Sequence, residues 1–277
     1  MNHSKKSIKI WKNTSTLDGY DKDLFFTKNK VEADIALLGS KPINLKEFPN
    51  LKGIFRAGIG KDNVPEKEAL KKQILVRYPS KETINIIFDE TAAFTCNLIF
   101  RMLYQSTGTL NPWHKADRYE ISKKVLLIIG TGNIGKRVLK SMETFMCVKT
   151  FDLLDNKTEE LKDLISVADC ISIHIPKTNK NEAFFDKEKL GMMKDCSVLI
   201  NTARASIVDE KALHNEVSNG RLKAAFDVFW EEPYDGILKK FHPNKFYMTP
   251  HIASTSIGFL QGCRKGLDAL LEEVNNA

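Results

Sequence analysis

The sequence contains no long hydrophobic run. Its longest uninterrupted apolar stretch is Val125–Ile129, far shorter than the ~20 residues that a membrane-spanning helix needs. Glycine (15) and proline (9) are also too few among 277 residues for a fibrous or low-complexity chain. Residues Met1–Lys6 are polar and basic, and Ser7–Ile10 alternates in polarity. The sequence therefore predicts neither a signal peptide nor a transmembrane segment.

Cysteine is sparse and scattered. The five cysteines are odd in number and none lies in Cys-x-x-Cys spacing: Cys96, Cys147, Cys170, Cys196 and Cys263. This pattern argues against a disulfide framework and a structural zinc site, and no other metal site is expected. It favours reduced thiols and a cytoplasmic location.

An excess of positive charge is present, but it is not concentrated. The chain has 42 Lys and Arg against 35 Asp and Glu, a net charge of +7. The basic residues alternate with acids, as in Lys61-Asp62 and in Asp186–Lys189. Nucleic-acid binding requires the charge on one face, so we expect a globular protein with a lysine-rich surface that attracts small anionic substrates.

Two series of alternating strands and helices follow each other along the chain. The predicted strands are Ser7–Trp11, Asp34–Gly39, Leu51–Ala57 and Ile74–Tyr78 in the first series, and Val125–Ile129, Val148–Phe151, Cys170–Ile175, Ser197–Asn201, Ala224–Val228 and Phe246–Met248 in the second. The predicted helices are Pro65–Lys72, Asp89–Tyr104, 134–146, 158–166, 187–193 and Asp209–Ser218. Alternation of this kind predicts an α/β fold, with a doubly wound parallel sheet in the second series.

A glycine-rich turn lies between the first strand and helix of the second series. The segment Gly130–Gly135 fits the pattern G-x-G-x-x-G and follows the apolar strand Val125–Ile129. In such a turn the first glycine permits the tight bend, the second lets a pyrophosphate approach, and the third allows close helix packing. The N–H groups at the helix start then face the phosphates. A glycine turn without a ligand is the alternative, but the strand-to-helix context predicts a dinucleotide site.

An acidic residue ends the next strand. Asp152 lies about 20 residues after Gly130, the usual offset of the carboxylate that binds the adenosine ribose hydroxyls. No arginine follows it, and a 2′-phosphate beside a carboxylate would cost on the order of a few kcal/mol. The sequence therefore favours NAD over NADP.

Three further motifs follow later strands of the second series, where ligands bind in open α/β sheets. They are Asn201–Glu210, Phe226–Pro233 and Thr249–Ala253. With Arg56–Val64, Gly130–Gly135 and Ile173–Pro176 in the same order, they resemble the D-isomer-specific 2-hydroxyacid dehydrogenases over nearly the whole chain. Within that family the similarity is greatest to enzymes that act on 3-phosphoglycerate.

The resemblance implies a particular domain arrangement. A Rossmann-type doubly wound NAD domain at 81–253 would be inserted in a smaller flavodoxin-like α/β substrate domain made of 1–80 and 254–277. It also implies a homodimer built largely on the NAD domain. Because few residues of this sequence follow His251, the C-terminal regulatory domain of some relatives is not expected.

The resemblance places the catalytic residues at Arg204, Glu232 and His251. Oxidation of a 2-hydroxy acid needs a base for the hydroxyl proton while hydride leaves C2, and histidine side chains ordinarily titrate near ~6.5. A neighbouring glutamate orients the ring, and an arginine offers a planar fork to a carboxylate and to the C2 oxygen. Taken singly, each of the three also fits an ordinary structural role.

Other site residues are implied in the same way. Those assigned to the cofactor are Gly130, Gly132, Asn133, Ile134, Gly135, Asp152, His174, Ile175, Pro176, Thr202, Ala203 and Asp227. Those assigned to the substrate are Arg56, Gly58, Ile59, Gly60 and Lys41. The glycine segment would offer backbone N–H groups to the substrate carboxylate, and the two cations would meet a distal phosphate.

Three positions depart from the family pattern. Ala205 and Ala253 stand where glycine is usual, and they are expected to crowd the backbone near the cofactor. Gly39 stands where enzymes of 3-phosphoglycerate often have arginine. The substrate therefore stays open between 3-phosphoglycerate and glyoxylate or hydroxypyruvate. A non-catalytic NAD-sensing protein of the same fold is a further alternative.

Overall fold

The computed structural model describes residues 7–105, 107–155 and 159–276. Contacts divide the chain into two compact units. The terminal unit comprises Met1–Ile87 and Thr255–Ala277, and the central unit comprises Phe88–Ser254. Two expectations, the absence of a signal peptide at Met1–Lys6 and a helix start at residue 158, fall outside the described residues. Within the described residues, no helix combines the length and the apolar character needed to cross a bilayer.

The terminal unit contains a parallel four-stranded sheet. Its strands, in spatial as well as chain order, are β1 (Ile10–Lys12), β2 (Ile35–Leu38), β3 (Gly53–Arg56) and β4 (Leu75–Arg77). Outside β1, Phe26 forms a single parallel bridge to Ile10. Counting this bridge as a fifth strand gives the order 2-1-3-4-5 of flavodoxin-like folds. The flavodoxin-like α/β fold predicted for this part of the sequence is therefore confirmed.

Helices cover this sheet, and one of them was not expected. They are α1 (Glu66–Lys71), the first turns of α2 (Lys81–Leu103) and the C-terminal α7 (Ile257–Asn276). Helix α2 begins eight residues before the predicted Asp89, because the Ser80 side chain accepts a hydrogen bond from the Thr83 N–H at 3.3 Å and caps the helix. Helix α7 escaped prediction although five apolar residues recur at helical spacing and are buried: Phe259, Cys263, Leu267, Leu270 and Val274.

The central unit contains a six-stranded parallel sheet. Its strands are β7 (Val125–Ile129), β8 (Cys147–Phe151), β9 (Cys170–Ile173), β10 (Val198–Asn201), β11 (Lys223–Phe226) and β12 (Phe246–Met248). Their spatial order is β12-β11-β10-β9-β7-β8. The connecting helices are α3 (Asn133–Met142), α4 (Glu160–Val167), α5 (Lys187–Met192) and α6 (Glu210–Ser218). A short antiparallel hairpin of β5 (Gly108–Thr109) and β6 (His114–Lys115) precedes the sheet. The doubly wound α/β prediction is confirmed.

The strand order reverses between β7 and β9, and this switch point is where ligands bind in open α/β sheets. In the common dinucleotide-binding order 3-2-1-4-5-6, a further strand lies outside the second one. Among the described residues β8 is instead the sheet edge, since β8 ends at Phe151 and α4 already begins at Glu160. From β8 the chain crosses to β9, which lies on the other side of β7, and the connection contains the short helix α4.

Close packing of α7 on the terminal sheet depends on a glycine. A Cβ on Gly266 would lie 2.7 Å from a ring carbon of the fully buried Phe55. We expect Gly266→Ala to lower the free energy of unfolding by about 1–3 kcal/mol, since the ring must move in a packed core. Urea unfolding of the purified protein measures this.

The matched control is Gly191→Ala in α5, where an added Cβ meets no atom within 4 Å. Because alanine favours a helix over glycine by roughly 0.8–1 kcal/mol, this control should unfold at an equal or higher urea concentration. Equal midpoints for Gly266→Ala and the unchanged protein would contradict the packing argument.

Candidate active site

The turn between β7 and α3 has the geometry of a phosphate-binding loop. Gly130 has φ +97°, and a Cβ there would lie 2.8 Å from the carbonyl group of His174. A Cβ on Gly135 would lie 2.0 Å from the Gly130 carbonyl oxygen, so α3 packs directly on the turn. A Cβ on Gly132 would meet nothing within 4 Å. The space in front of the helix is therefore open, while the turn behind it is closed to any side chain.

The start of α3 offers donors for an anion. Gly132 is the residue before the helix, and no side chain caps its first N–H groups. Asn133 and Ile134 follow in the first turn, where helical N–H groups have no partner within the helix. The open space beside Gly132 and these donors together fit a dinucleotide pyrophosphate.

Asp152 lies beside this loop and is held in place by it. Its Oδ2 accepts hydrogen bonds from the Thr131 N–H at 2.8 Å and from the Thr131 hydroxyl at 3.0 Å. Its Oδ1 accepts from the Leu154 N–H at 3.1 Å. The N–H of Thr131 is the main cause that holds the pKa of Asp152 below its usual range. The carboxylate is therefore charged at neutral pH, as a ribose-binding acid requires.

The segment after β9 lies against the same loop. The His174 N–H donates to the Ile129 carbonyl at 2.7 Å, and a Cβ on Gly130 would lie 2.9 Å from a methyl carbon of Ile175. The His174 Nε2 is 2.8 Å from the Ser172 hydroxyl, and burial lowers the pKa of His174 to about 4. The Pro176 carbonyl accepts from the Asn181 side chain at 2.9 Å. The His174 side chain is thus neutral at pH 7, and its backbone lies against Gly130.

The loop that carries Arg204 follows β10 and is closed by a buried amide. The Asn201 Oδ1 accepts from the Ala203 N–H at 2.9 Å, and its Nδ2 donates to the Arg204 carbonyl at 3.0 Å. The Arg204 Nη1 donates to the Ala203 carbonyl at 2.8 Å, and the side chain is half-buried. This loop therefore presents Arg204 from a backbone that its own preceding strand residue fixes.

A second contact fixes the same loop from α2. The Thr95 hydroxyl donates to the Thr91 carbonyl at 2.7 Å and lies 2.8 Å from the Thr202 hydroxyl. Since Thr95 uses its proton on Thr91, it must accept from Thr202. Sequence reasoning missed Thr95, and its signal was a hydroxyl residue on an otherwise apolar stripe of the helix.

Glu232 and His251 form a close pair. The His251 Nδ1 lies 3.0 Å from both carboxylate oxygens of Glu232. The Phe229 N–H also donates to Glu232 Oε1, at 3.2 Å. A proton on Nδ1 then points at the carboxylate, which leaves Nε2 as the ring nitrogen for proton exchange. The two side chains stay partly exposed, His251 at 34% and Glu232 at 25%.

Asp227 lies beneath the His251 loop. It is fully buried, and its carboxylate accepts from the Thr249 hydroxyl at 2.6 Å and from the N–H groups of Ile252 at 2.9 Å and Ala253 at 2.8 Å. Burial raises the pKa of Asp227, and these three donors oppose that rise. The structure thus gives this predicted cofactor residue a direct contact with the loop that bears His251.

The predicted substrate residues lie in the terminal unit, at the carboxyl ends of β2 and β3. Lys41 is exposed, whereas Arg56 is 6% exposed and its Nη1 donates to the Ala57 carbonyl at 2.6 Å. Gly58 has φ +144°, and Ile59 and Gly60 are half-buried beside it. The cation closest to the glycine segment is therefore already bound to backbone.

Alanine is accommodated at both positions where the family pattern has glycine. Ala205 and Ala253 are buried, and neither has the positive φ that would require glycine. The Ala253 N–H is one of the three donors to Asp227.

Comparison with known proteins places the chain in a family. The profile of the D-isomer specific 2-hydroxyacid dehydrogenase NAD binding domain matches residues 103–253. The chain is 34% identical over 242 residues to a hydroxypyruvate reductase of Thermotoga maritima, covering 82% of this chain and 76% of the relative. It is 31% identical over 209 residues to a D-3-phosphoglycerate dehydrogenase of Methanocaldococcus jannaschii, covering 68% of this chain and 39% of the relative.

Solved structures share the fold. The D-lactate dehydrogenase of Aquifex aeolicus, complexed with NAD and lactic acid, superimposes with a TM-score of 0.76 at 23% identity, covering 95% of this chain and 94% of that chain. The profile match spans more than half of the sequence, and the Thermotoga maritima relative exceeds 30% identity over most of it. The chain belongs to the NAD-dependent D-isomer specific 2-hydroxyacid dehydrogenases.

Proposed function

We propose that the protein interconverts a D-2-hydroxy acid and its 2-oxo acid with Arg204, Glu232 and His251 as the catalytic residues. The observation that carries this proposal is the Glu232–His251 pair, in which both carboxylate oxygens lie 3.0 Å from Nδ1. NAD, when bound, accepts the hydride from C2 or returns it. The residues of the chain then have to move one proton and hold the substrate carboxylate.

His251 moves the proton. With Nδ1 directed at Glu232, Nε2 takes the proton of the C2 hydroxyl during oxidation and returns it during reduction. The carboxylate of Glu232 keeps the ring in one tautomer and stabilises the imidazolium that forms. Without this partner the imidazole ring would be free to adopt two orientations.

Arg204 binds the substrate. Its planar guanidinium suits a carboxylate in bidentate geometry and also polarises the C2 oxygen. The Asn201 amide fixes the carbonyl of Arg204 itself and the N–H of Ala203. The Arg204 guanidinium is therefore carried by a rigid loop, and a rigid position is needed to orient a small substrate.

The terminal unit supports a small unphosphorylated substrate. A Cβ on Gly39 would lie 2.7 Å from both Cβ and Oγ1 of Thr14, so no larger side chain fits there to bind a phosphate. Arg56 is buried and bound to backbone. We propose hydroxypyruvate or glyoxylate as the substrate, with 3-phosphohydroxypyruvate as the second candidate. Rates of NADH oxidation with a panel of 2-oxo acids decide between them.

The first functional prediction concerns His251. His251→Asn should retain NADH binding, measured by fluorescence titration, and should lower turnover by ~10²–10⁴-fold because the proton carrier is lost. Glu232→Gln should also lower turnover, while the exposed neighbour in Glu231→Gln serves as the control and should keep it. Near-normal turnover of His251→Asn would sink the catalytic assignment.

The second functional prediction concerns cofactor choice. The protein should use NADH in preference to NADPH, because the charged Asp152 repels a 2′-phosphate by on the order of a few kcal/mol. Asp152→Ala should narrow the NADH-to-NADPH ratio of kcat/KM by about tenfold or more. Asp155→Ala, which removes an exposed acid nearby, should leave the ratio unchanged. A preference for NADPH in the unchanged protein would refute the role of Asp152.

We also propose a homodimer formed through the central unit, in the cytoplasm. Three large side chains in and after the β5–β6 hairpin are strongly exposed, namely Leu110 (74%), Trp113 (77%) and Tyr119 (79%). An exposed apolar surface of this kind is typical of a protein contact.

The cytoplasmic location is supported by the cysteines. All five are free thiols, which suits a reducing compartment.

Sedimentation analysis tests the dimer. The protein should sediment with the mass of two chains, and Trp113→Ser should shift it toward one chain because a large apolar contact is lost. Leu70→Ser, at a residue of the terminal unit that is 79% exposed, is the control and should not alter the mass. A single-chain mass at micromolar concentration would contradict the proposal.

A further inference from the structure

We infer that Arg56 and Asn63 are positioning residues, which hold two substrate loops from within the terminal unit rather than bind a distal phosphate of the substrate. The inference rests on the proposed function, since it assumes that the Gly58–Gly60 backbone receives the substrate carboxylate. Asn63 has no assigned role so far. Arg56, which the sequence analysis assigned to a distal phosphate of one substrate, is in this inference a structural support that every 2-oxo acid substrate requires.

Arg56 lies directly under the glycine segment. It is the last residue of β3 and is 6% exposed. Nη1 donates to the Ala57 carbonyl at 2.6 Å, and Nε donates to the Asn63 Oδ1 at 3.3 Å. A Cβ on Gly58 would lie only 2.5 Å from Nη1. The Arg56 side chain therefore occupies the space on which the backbone of Gly58 rests.

Asn63 joins this loop to the one after β2. It is 7% exposed, and its Nδ2 donates to the Gly39 carbonyl at 2.7 Å and to the Lys41 carbonyl at 2.9 Å. Its Oδ1 accepts from Arg56. A flipped amide would set its oxygen against two carbonyls and its nitrogen against the guanidinium, so the network fixes the orientation. Both amide protons are used on the 39–41 loop.

A second asparagine holds the 39–41 loop from the opposite side. The Asn13 Oδ1 accepts from the Gly39 N–H at 2.9 Å, and its Nδ2 donates to the Lys41 carbonyl at 3.1 Å. Asn13 follows β1, and Gly39 follows β2. When the bridge from Phe26 to Ile10 is counted as a strand, the strand order reverses between β1 and β2, so the 39–41 loop lies at the ligand-binding switch point of the fold.

These bonds make Arg56 unsuited to a distal phosphate. Arg56 is 6% exposed, and a guanidinium that moved outward to meet a phosphate would give up the Ala57 carbonyl and the Asn63 amide and leave the backbone of Gly58 unsupported. The cost would fall on the loop that receives the carboxylate, which every 2-oxo acid shares. A positioning role thus predicts that loss of Arg56 harms all substrates by a similar factor.

The test uses Arg56→Met and Asn63→Ala, with KM and kcat measured for glyoxylate, hydroxypyruvate and 3-phosphohydroxypyruvate at saturating NADH. Both variants should raise the KM for each acid by roughly tenfold to a hundredfold, because loop misplacement is costly. The factor should be the same for all three, and the KM for NADH should not change. Arg77→Met, an exposed arginine at the end of the neighbouring strand β4, is the matched control and should behave as the unchanged protein.

Hydrogen exchange of the substrate-free protein separates support from direct binding. If Arg56 and Asn63 hold the loops, the amides of residues 39–41 and 57–60 should exchange faster in both variants. A ligand role leaves these rates unchanged, because no substrate is present. The double variant should be no worse than the poorer single variant, since both residues act in one network.

Three outcomes overturn the inference. The first is a loss confined to 3-phosphohydroxypyruvate, which would make Arg56 a phosphate ligand. The second is unchanged exchange rates in both variants, and the third is unchanged KM values in both variants. Should Arg56→Met fail to fold, as judged by circular dichroism, Asn63→Ala alone decides by the same readouts. An unchanged protein that reduces none of the three acids would instead refute the proposed function.

Discussion

The buried carboxylate of Asp227 is the interaction on which the proposed catalytic centre depends. His251 has φ +56°, a conformation that costs a non-glycine residue about 1–3 kcal/mol and persists only where the surroundings enforce it. Asp227 enforces it by accepting the N–H groups of both residues that follow, Ile252 and Ala253. The position of Nδ1 next to Glu232 is a consequence of this backbone. The carboxylate in turn depends on its three donors, because a buried charge without them would be unstable.

The same solution recurs after other strands of both sheets. Asn201 closes the loop of Arg204, Asn63 supports the loops of the terminal unit, and Asp152 accepts the N–H of Thr131 in the phosphate loop. Each is a polar side chain bonded to the backbone of a loop that carries function. Loops have no ladder of their own, so a satisfied polar side chain supplies the rigidity that a sheet or helix would otherwise give. The loops that carry the functional residues are thereby held in fixed positions.

Local patterns sufficed for much of the fold. The predicted bounds of β7 and β12 agree with the structure to the residue, because each is a short apolar run that follows a lysine and ends before Gly130 or Thr249. Helix α2 was predicted too short, since β-branched residues such as Ile84 and Ile86 obscure a helix that Ser80 caps. Contacts such as Thr95 with Thr202, 107 positions apart, depend on tertiary packing, and no local spacing encodes them. The hydrogen bond that the Thr249 hydroxyl donates to the Asp227 carboxylate also depends on tertiary packing, and local spacing does not predict it.

The outer edge of the central sheet has a consequence for how the protein avoids edge-to-edge pairing of sheets from different molecules. Among the described residues no strand covers β8, so its outward N–H and C=O groups form a template to which another chain could add. The exposed side chains of β8 include Lys149 at its centre, between Val148 and Thr150. A charge in the middle of an edge strand must be desolvated before a second strand can pair with it, and natural sheets use lysine in this way. A single lysine thus protects the β8 edge from pairing, where a longer connection to β9 could have formed an additional strand beside β8.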